Sequence, residues 1–184
     1  MNTIASPGQL RASYIRWALL FVPATVLLGL LSAQLSGSSE HNPWFAALTK
    51  PDLYPPSYVF GVVWTILYGL MGFSLAMVAS ARGARGRPAA IIVFIVQLGL
   101  NLAWSPVFFG EHQITTALYL CIALDVAVLV TVVLFWRVRS LAGALLLPYL
   151  AWALFATYLT WELRVANPTM DGMDVSGAVE RFEF

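Results

Sequence analysis

The residues best suited to binding chemistry lie in the segment QLGLNLAWSPVFFG, which combines amides, aromatic rings and a hydroxyl within an apolar run. Each residue of an α-helix is rotated by about 100° from the residue before it. This rotation places a polar and aromatic set on one face: Gln97, Asn101, Trp104, Ser105 and Phe108. An unpaired amide in hydrocarbon is costly, so this face should line a cavity or form hydrogen bonds to neighbouring helices. The pattern favours neither interpretation over the other.

The opposite face of the same helix carries small residues, Gly99 and Ala103. Small residues let helices approach closely in a bilayer, where lipid provides no hydrophobic drive for association. We therefore predict that this face is a packing surface for another helix.

Aromatic residues form similar stripes at helical spacing in two further apolar segments. One stripe consists of Gly61, Trp64, Tyr68 and Met71. The other consists of Tyr149, Trp152 and Ala156. Aromatic residues near the ends of membrane helices commonly form interfacial belts, but Trp64 and Trp152 lie further inside their segments than a belt requires.

Groups for acid–base, nucleophilic or metal chemistry are scarce in the apolar segments. Asp125 is the exception, and a carboxylate within a span suggests a proton relay by default. No Lys, Arg or His lies at the same depth in the other spans, so we interpret Asp125 as a structural hydrogen-bonding group. No Ser/His/Asp set, metal-ligand cluster or phosphate loop occurs in these segments. Cys121, the only cysteine, excludes an intrachain disulfide.

The composition predicts an all-α integral membrane protein. Only 10% of the 184 residues are charged and 60% are hydrophobic, whereas soluble domains carry about 25% charged residues. Apolar runs long enough to span a bilayer predict a bundle of five transmembrane helices. The predicted spans are about 17–36, 56–81, 88–109, 114–136 and 140–162, within a single domain of residues 1–164. Residues 165–184 are predicted to be a flexible tail. The net charge of +1 provides no basic surface for nucleic acid.

The distribution of Lys and Arg predicts the orientation. With five spans, one side of the membrane receives Arg11, Arg16, Arg82, Arg85, Arg87, Arg137 and Arg139. The other side receives Lys50, Arg164 and Arg181. Short cytoplasmic loops carry the excess of positive residues, so the N-terminus is predicted to be cytoplasmic.

Three segments resemble the translocator protein family, whose members are also called tryptophan-rich sensory proteins or peripheral-type benzodiazepine receptors. The segments are KPDLYPPSYVFGVVWTILYGLMG, QLGLNLAWSPVFFG and LLLPYLAWALFATYLTWELR, and the resemblance covers about residues 30–164. It implies a five-helix bundle, usually homodimeric, whose pocket opens towards the first long loop, which joins the first and second predicted spans. It also implies binding of porphyrins, haem, sterols or synthetic isoquinoline and benzodiazepine ligands. Some bacterial members promote light-dependent breakdown of protoporphyrin.

The resemblance also implies which residues contact the ligand. From the first long loop these are Trp44, Phe45 and Leu53. From the third span they are Asn101, Trp104, Ser105 and Phe108. From the fifth span they are Tyr149, Trp152 and Ala156. Leu154, Tyr158 and Arg164 match the family's sterol-recognition element, and the implied homodimer would use Gly99 and Ala103.

The first long loop departs from the family pattern at one position. Many members have tryptophan where this chain has Leu53, so ligand affinities are expected to differ. Pro51, Pro55 and Pro56 restrict the backbone and stiffen this loop. We interpret the loop as a lid over the pocket, and the alternative is that the prolines only fix a tight turn into the membrane.

The resemblance makes a membrane receptor or sensor for tetrapyrroles, with no required cofactor or metal, the first functional hypothesis. Haem iron needs an axial ligand, but both histidines, His41 and His112, fall in loops, which favours a metal-free porphyrin. The alternatives are a light-dependent porphyrin-degrading enzyme that uses Trp44 and Trp152, and a porphyrin or sterol transporter. The predicted location is the bacterial cell membrane, with the mitochondrial outer membrane as the alternative.

Overall fold

The chain forms a bundle of membrane-spanning helices in a computed structural model that describes residues 6–38 and 42–173. Five helical segments are long and apolar enough to cross a bilayer. No β-strand occurs within the described ranges. The protein is therefore an all-α, multi-pass integral membrane protein, which confirms the fold class predicted from the sequence.

The helices in chain order are α1 (Pro7–Leu35), α2 (Pro43–Ala47), α3 (Ser57–Ser80), α4 (Arg87–Ser105), α5 (Ile114–Val138), α6 (Ser140–Leu145) and α7 (Leu147–Ala166). A π-helical turn, Pro106–Gly110, continues α4, and α6 and α7 together form the fifth span. α1 begins at Pro7 rather than at the predicted residue 17. Ser6 and Gln9 form a capping box there, which starts the helix in a stretch too polar to be recognised as a span.

The spans pack in a ring in which α1 contacts α3, α3 contacts α6, α7 contacts α5, and α5 contacts α4. α4 also contacts α1, which closes the ring. The backbones of α1 and α3 nearly touch, since a Cβ on Gly72 would lie 2.6 Å from Val22 Cα. Thr25 Oγ1 donates a hydrogen bond to the carbonyl of Tyr68 at 2.8 Å across the same contact. Glycine allows this approach, and the pair of helices forms a rigid wall.

Buried apolar residues form two clusters. The larger cluster lies at the centre of the bundle, where the rings of Phe94 and Phe135 stack at 5.6 Å. The smaller cluster, here called the lid cluster, lies under α2 and contains Trp44, Phe45, Leu48, Phe108, Ile114, Ala117 and Leu163. It joins the first long loop to the ends of three spans.

The segment predicted to be a flexible tail from residue 165 begins with the last turn of α7 and an ordered stretch. α7 continues to Ala166, and Asn167–Met173 forms hydrogen bonds to the first long loop and to the start of α5. The polar composition of this segment suggested a solvated terminus, but its polar groups are paired with the rest of the protein. Residues 174–184, which include Arg181, and also His41 lie outside the described residues.

Candidate ligand-binding site

A cavity of about 290 Å³ lies inside the bundle beneath the first long loop. α1 contributes the small residues Gly29 and Ala33 to its wall, and α3 contributes Phe60, Trp64 and Tyr68. None of the described residues that line the cavity is charged, and most of them are apolar. This lining suits a lipophilic ligand with a few hydrogen-bonding groups.

A chain of hydrogen-bonded side chains closes the inner end of the cavity. The hydroxyl of Tyr68 donates to Asn101 Oδ1, and Asn101 Nδ2 donates to the hydroxyl of Tyr149 at 3.1 Å. Tyr149 in turn donates to Gln97 Oε1 at 2.8 Å. Tyr68 and Asn101 line the cavity, whereas Tyr149 and Gln97 are buried behind them. The amide stripe of α4 thus serves both roles left open by the sequence, since Asn101 reaches the cavity and Gln97 bonds to α7.

The last turn of α4 presents Trp104 and Ser105 to the cavity, as the helical spacing predicts. Nε1 of Trp104 is buried and has no hydrogen-bond partner among the described residues. Trp104 therefore lines the cavity with its aromatic surface, whereas its Nε1 is buried away from the open space.

The π-helical turn changes which phenylalanine reaches the cavity. Its wider spacing is visible in the hydrogen bond from the Glu111 N–H to the Pro106 carbonyl at 2.9 Å. Phe109 lines the cavity, whereas Phe108 stacks behind Trp104 at 4.8 Å with an interplanar angle of 11°. The predicted ligand contact of Phe108 is therefore indirect. Pro106 is the only sequence signal of this irregular turn, because regular 3.6-residue spacing cannot reveal it.

α7 presents alanines, rather than its predicted tryptophan, to the cavity. Ala153 and Ala156 line it, which agrees with the prediction for Ala156. Trp152 is rotated by about 100° from Ala153 on the helix. It packs edge-on against Phe60 at 5.8 Å and lines a separate groove with Val63 and Phe155. Trp152 therefore does not line the cavity itself. Tyr149 does not line it either, and is connected to it through its hydrogen bond with Asn101.

The first long loop covers the outer end of the cavity. The side chain of Asn42 caps α2 and also donates a hydrogen bond to the carbonyl of Phe109 at 3.3 Å. Phe45 and Tyr54 face the cavity with ring centroids 6.0 Å apart. Burial raises the pKa of the Tyr54 phenol to about 12, so this hydroxyl remains protonated at neutral pH.

Two further residues of the loop lie at its surface. Lys50 Nζ lies 4.7 Å from the centroid of the Phe45 ring and donates to the Phe45 carbonyl at 3.3 Å. Lys50 thus places a positive charge beside Phe45, a residue of the cavity wall. Leu53 is 64% exposed and does not line the cavity, contrary to its predicted ligand contact.

Trp44 lies in the lid cluster and not in the cavity. Its indole stacks on the ring of His112 at 4.6 Å and packs edge-on against Phe108 at 5.3 Å. Its Nε1 donates to the carbonyl of Met170 at 3.1 Å. Only 1% of the residue is exposed, so a direct contact with a ligand would require movement of the loop.

The buried polar residues of α5 lie beside the cavity. Cys121 lines it, and its Sγ lies 3.8 Å from Thr160 Oγ1. One turn further along α5, Asp125 Oδ2 accepts a hydrogen bond from Thr157 Oγ1 at 2.7 Å. This bond joins α5 to α7, in agreement with the structural role predicted for Asp125.

The residues of the sterol motif and of the predicted dimer face lie outside the cavity. Leu154 and Tyr158 are exposed on the outer surface of α7, and Arg164 Nε donates to Thr115 Oγ1 at 2.8 Å. Gly99 is exposed on α4, and Ala103 is partly exposed. These positions are accessible to lipid, a sterol or a second copy of the chain.

The described part of the chain contains no group of three or more His, Cys, Asp or Glu residues placed to hold a metal ion. His112 does not line the cavity, since its ring stacks on Trp44 and its Nδ1 lies 3.1 Å from the Met173 carbonyl.

Comparison with known proteins extends over the whole bundle. The sequence profile of the TspO/MBR family matches residues 21–166. The tryptophan-rich protein TspO of Archaeoglobus fulgidus is 38% identical over 131 residues, which cover 71% of this chain and 84% of that protein. The translocator protein of Homo sapiens is 40% identical over 111 residues, covering 59% of this chain and 66% of that protein.

The tryptophan-rich sensory protein of Cereibacter sphaeroides is 38% identical over 110 residues, which cover 60% of this chain and 68% of that protein. These matches confirm the resemblance inferred from the three sequence segments. The profile match begins within α1 and ends with α7, so it includes every helix that lines the cavity. This multi-pass membrane protein belongs to the TspO/MBR family.

Proposed function

We propose that the protein is a membrane receptor or sensor that binds a tetrapyrrole, protoporphyrin or haem, in the cavity beneath the first long loop. Sterols and similar lipophiles are further candidate ligands. The observation that carries this proposal is the uncharged, aromatic-lined cavity between α1, α3, α4 and α7. The name of the relative from Cereibacter sphaeroides, a tryptophan-rich sensory protein, fits such a role.

The lining supplies the interactions that a flat macrocycle needs. Phe60, Trp64 and Trp104 offer aromatic surfaces, and stacked aromatic pairs contribute about 0.5–1.5 kcal/mol beyond burial. Asn101 and Ser105 provide hydrogen-bonding groups within the apolar wall. Lys50 lies at the mouth, where it can pair with the propionate groups of a porphyrin.

The size of the cavity implies that the loop moves when a tetrapyrrole binds. Its volume of about 290 Å³ is at the lower end of the range of roughly 300–1,000 Å³ for ligand pockets. A tetrapyrrole is larger than this space. We therefore expect α2 and the adjoining loop to shift outward on binding.

A metal-free porphyrin fits the described residues better than haem does. Haem iron needs an axial ligand, most often histidine, and no histidine is among the described residues that line the cavity. The thiol of Cys121 does line it, but lies in apolar surroundings that disfavour a thiolate ligand.

Light-dependent degradation of a bound porphyrin is the second candidate function. The observation that favours it is the presence of two indoles, those of Trp64 and Trp104, in the cavity wall. Photochemistry in the closed state would involve these residues before Trp44 or Trp152, which lie behind other side chains.

We further propose that the protein lies in a bacterial cell membrane with its N-terminus in the cytoplasm. Arg82 and Arg85 between α3 and α4, Arg137 in the last turn of α5 and Arg139 just before α6 are exposed on the side opposite to Lys50. A cysteine-accessibility assay in intact cells, with one cysteine placed at Arg85 and another at Lys50 in a Cys121→Ser background, would test this orientation.

The central experiment is a tryptophan-fluorescence titration with protoporphyrin IX in detergent, first in the dark and then under illumination. Ala156→Phe fills the cavity and should abolish saturable quenching, whereas Leu154→Phe on the outer face of α7 should retain it. Equal quenching in both variants would contradict the assignment of the cavity. New absorbance bands that form only under illumination, only with the protein present, and not in a variant without Trp104 would favour the light-dependent degradation of porphyrin.

A further inference from the structure

We propose that Asn167–Met173, here called the C-terminal strap, holds the first long loop over the cavity, and that Asn167 is the residue that positions this loop. The inference rests on the proposed function, because the strap acts on the access of a ligand to the cavity. It concerns a segment that the sequence predicts to be a flexible tail.

Asn167 joins the end of α7 to the loop through paired hydrogen bonds. Its Oδ1 accepts from the Thr49 N–H at 2.8 Å, and its Nδ2 donates to the Thr49 carbonyl at 2.9 Å. The same Nδ2 donates to the Leu163 carbonyl at 2.8 Å, within the last turn of α7. Only a side-chain amide presents a donor and an acceptor side by side, so the pairing depends on this residue type. Asn167 is 5% exposed, which shields these bonds from competition by water.

Met170 provides a second connection, to Trp44 of α2. The Met170 carbonyl accepts the hydrogen bond from Trp44 Nε1 at 3.1 Å, and the Met170 side chain packs against the lid cluster. α2 cannot tilt away from the cavity without withdrawing the indole from this cluster and breaking the bond.

The far end of the strap is fixed to the first turn of α5. The carboxylate of Asp171 accepts hydrogen bonds from the N–H and the hydroxyl of Thr115, at the N-terminus of the helix. The Gly172 N–H donates to the His112 carbonyl at 2.9 Å. His112 has φ of 57°, a left-handed conformation that is uncommon for a residue other than glycine. The strap thus links the first long loop to the first turn of α5.

These contacts couple the opening of the loop to the strap, so that the two segments open cooperatively. The loop is released only when the Asn167 pair and the Trp44–Met170 bond are both broken. A ligand larger than the closed cavity must wait for this opening both to enter and to leave. Weakening the strap should therefore accelerate association and dissociation together, and change the equilibrium constant much less.

Stopped-flow quenching by protoporphyrin IX tests this expectation with Asn167→Ala in the full chain. We expect both rate constants to rise roughly tenfold, as the loss of a pair of buried hydrogen bonds implies. Thr116→Ala is the matched control, because the Thr116 hydroxyl, in the first turn of α5, forms a hydrogen bond only to Gln113 among the described residues and none to the strap. Unchanged rates in Asn167→Ala, or an effect on dissociation alone, would overturn the proposal.

Hydrogen–deuterium exchange on the unmodified protein provides an independent test that needs neither a folded variant nor a ligand. The amides of Phe45, Leu48 and Thr49 and those of Gly172 and Met173 are hydrogen-bonded and should exchange with one common opening rate. If the strap amides exchanged rapidly while the loop amides stayed protected, the proposal that the strap holds the loop over the cavity would be wrong. Absence of protoporphyrin binding would instead refute the proposed function and leave the exchange result interpretable.

Discussion

The ring of Tyr68 lies against the backbone of Gly29, so closely that a Cβ on Gly29 would fall 2.1 Å from the ring. This contact seats Tyr68 where its hydroxyl reaches Asn101 Oδ1. Both Gly29 and Tyr68 line the cavity. A residue of α1 without a side chain thus determines where a polar group of α3 lies at the inner end of the site.

Replacing Gly29 with alanine should displace the Tyr68 ring and break its bond to Asn101. We expect the dissociation constant for protoporphyrin IX to rise about tenfold, since overpacking in a close contact typically costs about 1–3 kcal/mol. Fluorescence titration measures the change. Gly61→Ala is the control, because Gly61 lines the same cavity but a Cβ there would meet no atom within 4 Å. Equal affinities of the two variants would show that the Gly29–Tyr68 contact does not shape the site.

The hydroxyl of Tyr149 is the central link of the buried hydrogen-bond chain, since it accepts from Asn101 and donates to Gln97. Tyr149→Phe should lower the free energy of unfolding by about 1–3 kcal/mol, because both amides would lose a partner in a buried environment. Thermal unfolding in detergent is the measurement. Tyr119→Phe, which changes an exposed tyrosine of α5, should leave the stability unaltered. If Tyr149→Phe were as stable as the unmodified protein, water or another group would be replacing the hydroxyl.

Helical periodicity predicted the parts of the site that lie in regular helices. Gly61, Trp64 and Tyr68 on α3, and Asn101 and Trp104 on α4, share the faces that their spacing indicates and line one cavity. The apolar runs likewise predicted the spans, because a bilayer imposes length and composition on every helix that crosses it.

Some predicted ligand contacts do not line the cavity, for physical reasons that a single sequence does not display. Because of the π-helical turn, Phe109 rather than Phe108 lines the cavity. The spacing of these adjacent residues in the sequence does not show which of the two does so. Trp152 shares a predicted stripe with Ala156, but the cavity is centred on the alanines beside it. Trp44 is held by Met170, far along the chain, and such long-range contacts have no local signature.

Trp104 should contribute to binding through its aromatic face, which lines the cavity. Trp104→Leu removes this face and should raise the dissociation constant for protoporphyrin IX roughly tenfold, whereas Trp104→Phe keeps an aromatic ring and should have a smaller effect. Absorbance titration in the dark gives both values without relying on indole fluorescence. Trp161→Leu is the control, because Trp161 is exposed on the outer surface of α7. A loss of affinity in Trp161→Leu that matched the loss in Trp104→Leu would place the ligand outside the cavity.

Gly99 allows the predicted dimer face to be tested without disturbing the bundle. It is exposed on α4, and a Cβ there would meet no atom within 4 Å, so Gly99→Leu should leave the fold of each subunit intact. If the small face of Gly99 and Ala103 joins two copies, leucine prevents the close approach of their backbones and shifts the protein towards the monomer. Light scattering with correction for bound detergent measures the mass. Val126→Leu, at an exposed position on α5, controls for a change of side-chain size on the lipid surface. A dimer that persists in Gly99→Leu would assign the interface to another face of the bundle.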